Sequence, residues 1–419
     1  MVMHGRGAAL QSARGGDLEP LRDHVAALGL FGDEARRRLR VRDALAGWLG
    51  ETGGGSPADV AIQADAAADA LVGLGPLDAV LADPEVGEVM VSGLLPIRVE
   101  RAGCIQDTGL AFGSTALLRQ VLERLLRGTG RRLDEGHPVV DAALPGGVRI
   151  HAVLPPVAVD GPHLTLRRPR AQILGVADLV GSGALDPAAT AFLHAAVLGR
   201  RSLLVTGAAG TGKTTVLAAL ASLVSADERI VVLEDTAELR IDHPHLARLE
   251  CRAALADSGA AVTLRDLVRA SLRMRPDRIV VGEVRGEEAA DMVQAMSTGH
   301  DGSMATLHAG GAVDAVERLV GMLALAWPAQ TDLQLRRWIG SAIDLVVHCT
   351  RDHDGRRHIS EVAALEPDDH GTLGVSSVFV RRPGGALEAC GELPVRCLER
   401  MEQAGCPVPP TLFARGRVA

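Results

Sequence analysis

The segment Gly207-Ala208-Ala209-Gly210-Thr211-Gly212-Lys213-Thr214-Thr215 gathers the residue types that hold a polyphosphate. Gly207, Gly210 and Gly212 let successive backbone N–H groups converge on an anion. Lys213 reaches the β- and γ-phosphates, and the Thr214 hydroxyl is a ligand for Mg²⁺. Ala208, Thr211 and Thr215 complete the loop. Glycine is abundant in this chain, 48 residues in all, so the motif alone is weak and its setting decides. Leu203-Leu204-Val205-Thr206 supplies the apolar strand that must precede such a loop. Val216-Leu217-Ala218-Ala219-Leu220 supplies the helix that must follow, its positive N-terminal end toward the phosphates. The ligand expected is a magnesium-bound nucleoside triphosphate.

Hydrolysis needs a metal on the β- and γ-oxygens, an oriented water, and positive charge on the transferring phosphoryl group. Acids for the first two stand at strand ends. Glu234-Asp235-Thr236-Ala237-Glu238 follows the apolar run Ile230 to Leu233, and Glu283 ends Ile279-Val280-Val281-Gly282. Open α/β sheets bind ligands at the carboxyl ends of their strands. Glu234, Asp235 and Glu238 also suit helix capping just after a strand, whereas a lone acid closing an apolar run, as Glu283 does, has little packing reason to exist. Position 282, where a Walker B aspartate usually stands, is glycine, so metal coordination leans on Thr214, Glu283 or Asp235.

The elements that position these groups alternate. Strand signals at Arg229–Leu233, Arg278–Val281 and Ser303–Leu307 are interleaved with helical ones at Leu264–Leu272, Glu287–Met296 and Val313–Leu325. That is the pattern of a parallel sheet covered on both faces. Before it, residues 75–169 read as a small α+β domain. Its strands are expected at Gly87–Val91, Pro96–Glu100, Gly147–Val153 and His163–Arg167, with a helix over Thr115–Leu126. Residues 1–74 read as a helical region. It carries the basic run Arg36-Arg37-Arg38-Leu39-Arg40-Val41-Arg42, most simply a solvated helix face, and a glycine-rich linker near 53–57. Residues 170–393 form the nucleotide-binding domain, and 394–419 a weakly specified tail.

At 419 residues, two or three domains are the natural expectation. A net charge of −8 gives no electrostatic reason for a nucleic-acid surface. No apolar run reaches membrane-spanning length and the N-terminus has no secretory signal pattern, so a cytoplasmic protein is expected. Six cysteines without any C-x-x-C pair support neither zinc nor a disulfide framework.

Four stretches occur in one order: Gly207 to Thr215, Glu234 to Glu238, Arg275-Pro276-Asp277-Arg278-Ile279-Val280-Val281-Gly282-Glu283-Val284-Arg285-Gly286, and Thr298-Gly299-His300-Asp301-Gly302-Ser303-Met304-Ala305-Thr306-Leu307-His308-Ala309. Together they resemble the four motifs of the secretion ATPases that power type II and type IV secretion, conjugation and type IV pili. The resemblance spans about residues 75 to 350 and is strongest to the tight-adherence (Tad-type) pilus assembly ATPases. It implies a RecA-like ATPase domain preceded by a PAS-like one, ATP and Mg²⁺ as ligands, and a hexameric ring. The partner implied is an inner-membrane platform protein, with the ATPase peripheral at the inner face of the cytoplasmic membrane.

The resemblance also assigns roles. Glu234, Asp235 and Glu238 match the aspartate box, Glu283 the Walker B acid, and His300 and His308 the histidine box. Arg149 and Arg167 match two arginines of the preceding domain that serve the phosphates, although Arg168 and Arg170 are near enough to leave that match open by one position. Two other readings stand beside the pilus or secretion motor. A DNA-transfer motor of the same fold would need a basic channel, and a non-hydrolysing nucleotide switch would have no use for these acids and arginines.

Overall fold

The computed structural model describes residues 42–44, 46–47, 56–58, 60–61 and 73–414, apart from 102, 145–146, 169–173, 253–259, 368–371 and 383–384. The chain divides into two compact units, Met1–Pro169 and Arg170–Ala419. Most of the expected N-terminal helical region, residues 53–55 of the linker, Arg36 to Val41 of the basic run, and Arg170 lie outside the described residues. No described helix is long and apolar enough to cross a membrane.

The first unit is built on a six-stranded antiparallel sheet in the order β3-β2-β1-β6-β5-β4. Its strands are β1 (Val86–Ser92), β2 (Arg98–Arg101), β3 (Cys104–Asp107), β4 (Val139–Ala143), β5 (Arg149–Val153) and β6 (His163–Arg167). Val89, Val91, Ile150, Ala152, Leu164 and Leu166 alternate onto one face and are buried with α1 (Pro76–Leu81) and α2 (Thr115–Leu126). Helix α2 starts where the Ser114 side chain accepts a hydrogen bond from the Leu117 amide, and it buries Leu118, Val121, Leu122 and Leu126. The sequence pattern does not reveal β3 or β4. All four residues of β3 are exposed, so no alternation of apolar side chains marks it.

The second unit holds a nine-stranded sheet in the order β15-β14-β13-β12-β7-β11-β10-β8-β9. Strands β7 (Leu203–Gly207), β8 (Ile230–Glu234), β9 (Leu246–Glu250), β10 (Arg278–Val284), β11 (Met304–Leu307) and β12 (Leu345–Arg351) run parallel. The antiparallel strands β13 (Arg357–Pro367), β14 (Leu373–Arg381) and β15 (Leu387–Ala389) extend it. The parallel sheet expected from the alternation is therefore two thirds of a mixed one. Because both faces are covered, the central strands are apolar throughout rather than alternating. Leu203, Val205, Val232 and Val280 pack on one side with α3 (Val176–Gly181), α4 (Pro187–Leu198) and α5 (Lys213–Ala221). Leu204, Val231, Leu233 and Val281 pack on the other with α6 (Leu264–Ser271), α7 (Glu288–Ser297), α8 (Ala312–Ala326) and α9 (Asp332–Ala342).

The weakly specified tail requires correction. Helix α10 (Val395–Gln403) buries Cys397 and Met401, and a 3₁₀ turn at Pro410–Phe413 inserts Phe413 into the core beneath α4. The Phe413 ring is 1% exposed, with centroids 5.3 Å from Phe192 and 5.8 Å from Phe379. The prolines that read as breakers set this turn, and the apolar spacing of Cys397, Met401 and Phe413 is the signal that the composition obscures. Replacing Phe413 with alanine is expected to cost about 3–5 kcal/mol in urea denaturation, as a large buried ring leaves a cavity that the packed core cannot fill. A loss below about 1 kcal/mol on that scale would mean that the tail is not part of the core.

Candidate nucleotide site

Strand β7 is central and fully buried, and it ends at the glycine loop. Gly207 has φ 148°, and a Cβ there would fall 2.4 Å from the Cys349 carbonyl oxygen on the adjacent strand. Gly212 is left-handed at φ 96° and turns the chain into α5, which begins at Lys213. Thr211 Oγ1 donates to the Ala208 carbonyl at 2.9 Å, closing the loop on itself. The backbone thus presents the anion-cradling turn that the glycine spacing implies.

Lys213 is only 7% exposed. Its Nζ donates to the Ala208 carbonyl at 3.0 Å and lies 3.3 Å from His308 Nδ1. Burial pushes the ammonium below its usual range, and the Glu283 carboxylate opposes that shift. His308 follows β11, and its Nε2 is 2.5 Å from Glu283 Oε1. That contact is close but off the hydrogen-bond direction, so Glu283 Oε1 is buried without a directed donor. The other oxygen of Glu283 pairs with Arg285. His308 is held below its usual range by burial and then by the Lys213 charge. Lys213, Glu283 and His308, expected from the sequence to act together, stand in one contiguous group.

Glu234 is 3% exposed, and its Oε1 accepts from the amides of Glu238 at 2.8 Å and Leu239 at 2.7 Å. Its Oε2 is 3.5 Å from Arg248, and burial raises its pKa despite these donors. It therefore does capping work for the turn after β8. It also accounts for Gly282. A Cβ at position 282, on the neighbouring strand β10, would sit 2.9 Å from Glu234 Cγ. Glu234 fills the volume that a Walker B aspartate would take. Gly282→Ala is expected to destabilise the fold by about 1–3 kcal/mol, because Glu234 is pinned by two amides and cannot easily yield. It should also lower turnover by displacing that turn. Unchanged denaturation and unchanged turnover would show that Glu234 moves freely.

Asp235 is exposed, and with Glu283 and Glu238 it helps raise the Arg285 pKa, so these acids share one electrostatic neighbourhood. Thr214 is half-buried and Thr215 follows it on the first turn of α5. A buried carboxylate oxygen lacking a directed donor, with a hydroxyl and further acids available, fits Mg²⁺. Thr214, Glu283 and Asp235 are the residues that would hold it. Bound magnesium would neutralise charge on the β- and γ-oxygens.

His300 is not part of this group. Its Nδ1 lies 3.1 Å from the Ala295 carbonyl, at the C-terminal end of α7. Arg149 and Arg167 belong to the first unit, where they stand directly opposite on β5 and β6, with Glu88 of β1 next in the same row. Arg168 is committed elsewhere. Its guanidinium donates to the carbonyls of Asp83, at 2.6 Å, and Leu81, tying down the end of α1. Among the described alternatives, Arg167 is therefore the arginine that shares a row with Arg149.

Sequence reasoning overlooks four residues. Arg285, two residues beyond Glu283 on the chain, pairs with its carboxylate. Thr206 is 2.9 Å through its Oγ1 from His348 Nδ1, a buried polar contact between β7 and β12. Arg357, on β13, reaches the phosphate loop. A histidine in an apolar strand and an arginine after a turn carry no signal of this kind until the strands are paired.

A parallel sheet, a glycine loop entering a helix at its carboxyl edge, and a lysine and carboxylate meeting there define a P-loop nucleotide-binding protein with a RecA-like domain. Comparison with known proteins narrows this. Residues 70–364 match the family model described as type II/IV secretion system protein. The chain is 41% identical over 301 residues to the putative conjugal transfer protein Rv3659c of Mycobacterium tuberculosis, covering 70% of this chain and 85% of that protein. It is 36% identical over 286 residues to the type IV secretion system protein PtlH of Bordetella pertussis, covering 59% and 82%. The crystal structure of the pilus retraction motor PilT with bound ADP shares the fold, at a TM-score of 0.52 and 20% identity over 79% of this chain and 87% of that one. This chain belongs to the type II/IV secretion system ATPase family.

Proposed function

We propose that the protein is a motor ATPase that hydrolyses MgATP to drive pilus assembly or protein secretion, in a machine of the Tad type. The observation that carries the reading is the contact of Lys213, His308 and Glu283 at the carboxyl edge of β7, β11 and β10. It sets a phosphate-binding cation, a buried carboxylate and a histidine at one point. In this reading Glu283 orients the attacking water and His308 joins the carboxylate to the lysine. Arg149 and Arg167 supply positive charge to the transferring phosphoryl group. The working form is a homo-hexamer on the cytoplasmic face of the inner membrane, engaging a platform protein there.

The first test is steady-state phosphate release by the purified chain over a range of protein concentrations. Specific activity that rises with concentration supports an assembled motor; nucleotide binding without turnover, with or without lipid, supports a switch instead. Arg149→Ala and Arg167→Ala should each lower turnover by about 10³-fold or more while ATP binding is largely kept. Equal loss of binding and turnover would make these arginines structural.

A second reading has its own support, since relatives in Mycobacterium tuberculosis and Rhizobium radiobacter carry conjugal-transfer names. A DNA-transfer motor would show hydrolysis stimulated by DNA. The net charge of −8 speaks against direct contact with nucleic acid, so hydrolysis unchanged by added DNA is the expected result.

A further inference from the structure

Arg357 opens β13 on the far side of a short turn from β12, opposite Arg351. Strand β12 runs parallel to β7 with Cys349 beside Gly207, so the turn between β12 and β13 extends past the point where the phosphate loop begins. There Arg357 Nε donates to the Gly210 carbonyl at 2.8 Å. Its Cδ would lie 3.5 Å from a Cβ at Gly212, so the side chain lies against the loop along its length.

A trans peptide points its C=O and its N–H in opposite directions. Holding the Gly210 carbonyl from outside therefore fixes the Thr211 amide toward the inside of the loop, where the phosphates bind. The loop does not do this for itself, since Thr211 Oγ1 and Lys213 Nζ both go to the Ala208 carbonyl. No carboxylate neutralises Arg357 among the described residues, and neither terminal nitrogen meets an acceptor there. An arginine bound through Nε alone keeps the fork that recognises phosphate oxygens.

We infer that Arg357 is a nucleotide-positioning residue. It sets the Thr211 amide for phosphate and adds a second positive charge beside Lys213, making the β12–β13 turn part of the nucleotide site. This rests on the ATPase reading above. The ligand class is a nucleoside di- or triphosphate, recognised through its phosphates and not through its base.

The experiment compares wild type, Arg357→Ala and Arg357→Lys as full chains. Each is measured for ADP affinity by calorimetry, for KM and kcat with MgATP, and for thermal unfolding with and without ADP. The expected result is ADP affinity weakened about 10- to 100-fold in Arg357→Ala, the loss of a charge-assisted contact. KM should rise by more than kcat falls, and unfolding without nucleotide should be little changed. Arg357→Lys keeps the charge but not the planar Nε contact, so it should recover only part of the affinity. Equal ADP affinity and KM in wild type and both variants would overturn the inference while leaving the ATPase reading in place. Loss of ligand-free stability in Arg357→Ala, with affinity fully restored in Arg357→Lys, would overturn it too, by reducing the role to generic charge. Wild type that binds no nucleotide would overturn the ATPase reading and this inference with it.

Discussion

Lys213→Ala is expected to lower ATP hydrolysis by at least about 10³-fold and to weaken nucleotide binding, with the fold intact. Lys213 is almost fully buried at the helix start, and among the described residues its ammonium hydrogen-bonds to the Ala208 carbonyl and His308. Such a cation is costly to desolvate, which is why burial depresses its pKa; the Glu283 carboxylate offsets part of that cost, and an anionic ligand would offset more. Alanine removes one hydrogen bond to Ala208 and also a buried charge. These changes offset each other in stability, so thermal unfolding should shift by only a few degrees. Phosphate release and unfolding measured on one preparation decide the matter. A variant that is folded and retains more than about a tenth of wild-type turnover would remove Lys213 from the site.

Glu283→Gln should separate binding from chemistry. Glutamine keeps the shape of the side chain but removes the negative charge that faces His308 and Arg285. The expected kcat falls by about 10²- to 10⁴-fold, the range for loss of a positioned general base. ATP binding should be retained, because Lys213 then meets one fewer competing anion. Single-turnover assays with ATP, followed by analysis of the nucleotide left bound, distinguish trapped ATP from failed binding. Bound ADP in amounts like wild type would show that the carboxylate is dispensable and would shift attention to Asp235 and Glu238.

Local chemistry explains why the phosphate loop was legible before any fold was known. Each feature of the phosphate loop answers a short-range demand: φ above zero at Gly207 and Gly212, an anion-facing cation at Lys213, and an apolar strand on one side with a helix on the other. The central strands were legible because burial on both faces makes them continuously apolar. Strand β3 had no such imprint, since its residues face water, and β9 has no fully buried residue to mark it.

The roles of Glu234, Gly282 and Arg357 depended instead on neighbours distant in sequence. Glu234 reads as a site acid or as a cap until β8 and β10 are paired, whereupon its side chain is seen filling the space that Gly282 leaves open. Arg357 lies 147 residues from the carbonyl it holds. The tail shows the same division, for its prolines signal breaks while the burial of Phe413 depends on Phe192 and Phe379 from two other elements. The sequence by itself pointed to the ligand class and to the central strands and helices, because these follow from backbone stereochemistry and apolar periodicity within a few residues, while the family rested on the resemblance of four motifs. Which acid caps a turn, which meets the lysine and which arginine braces the loop were decided only by tertiary structure, because strand pairing and burial bring together side chains whose separation along the chain carries no local signal.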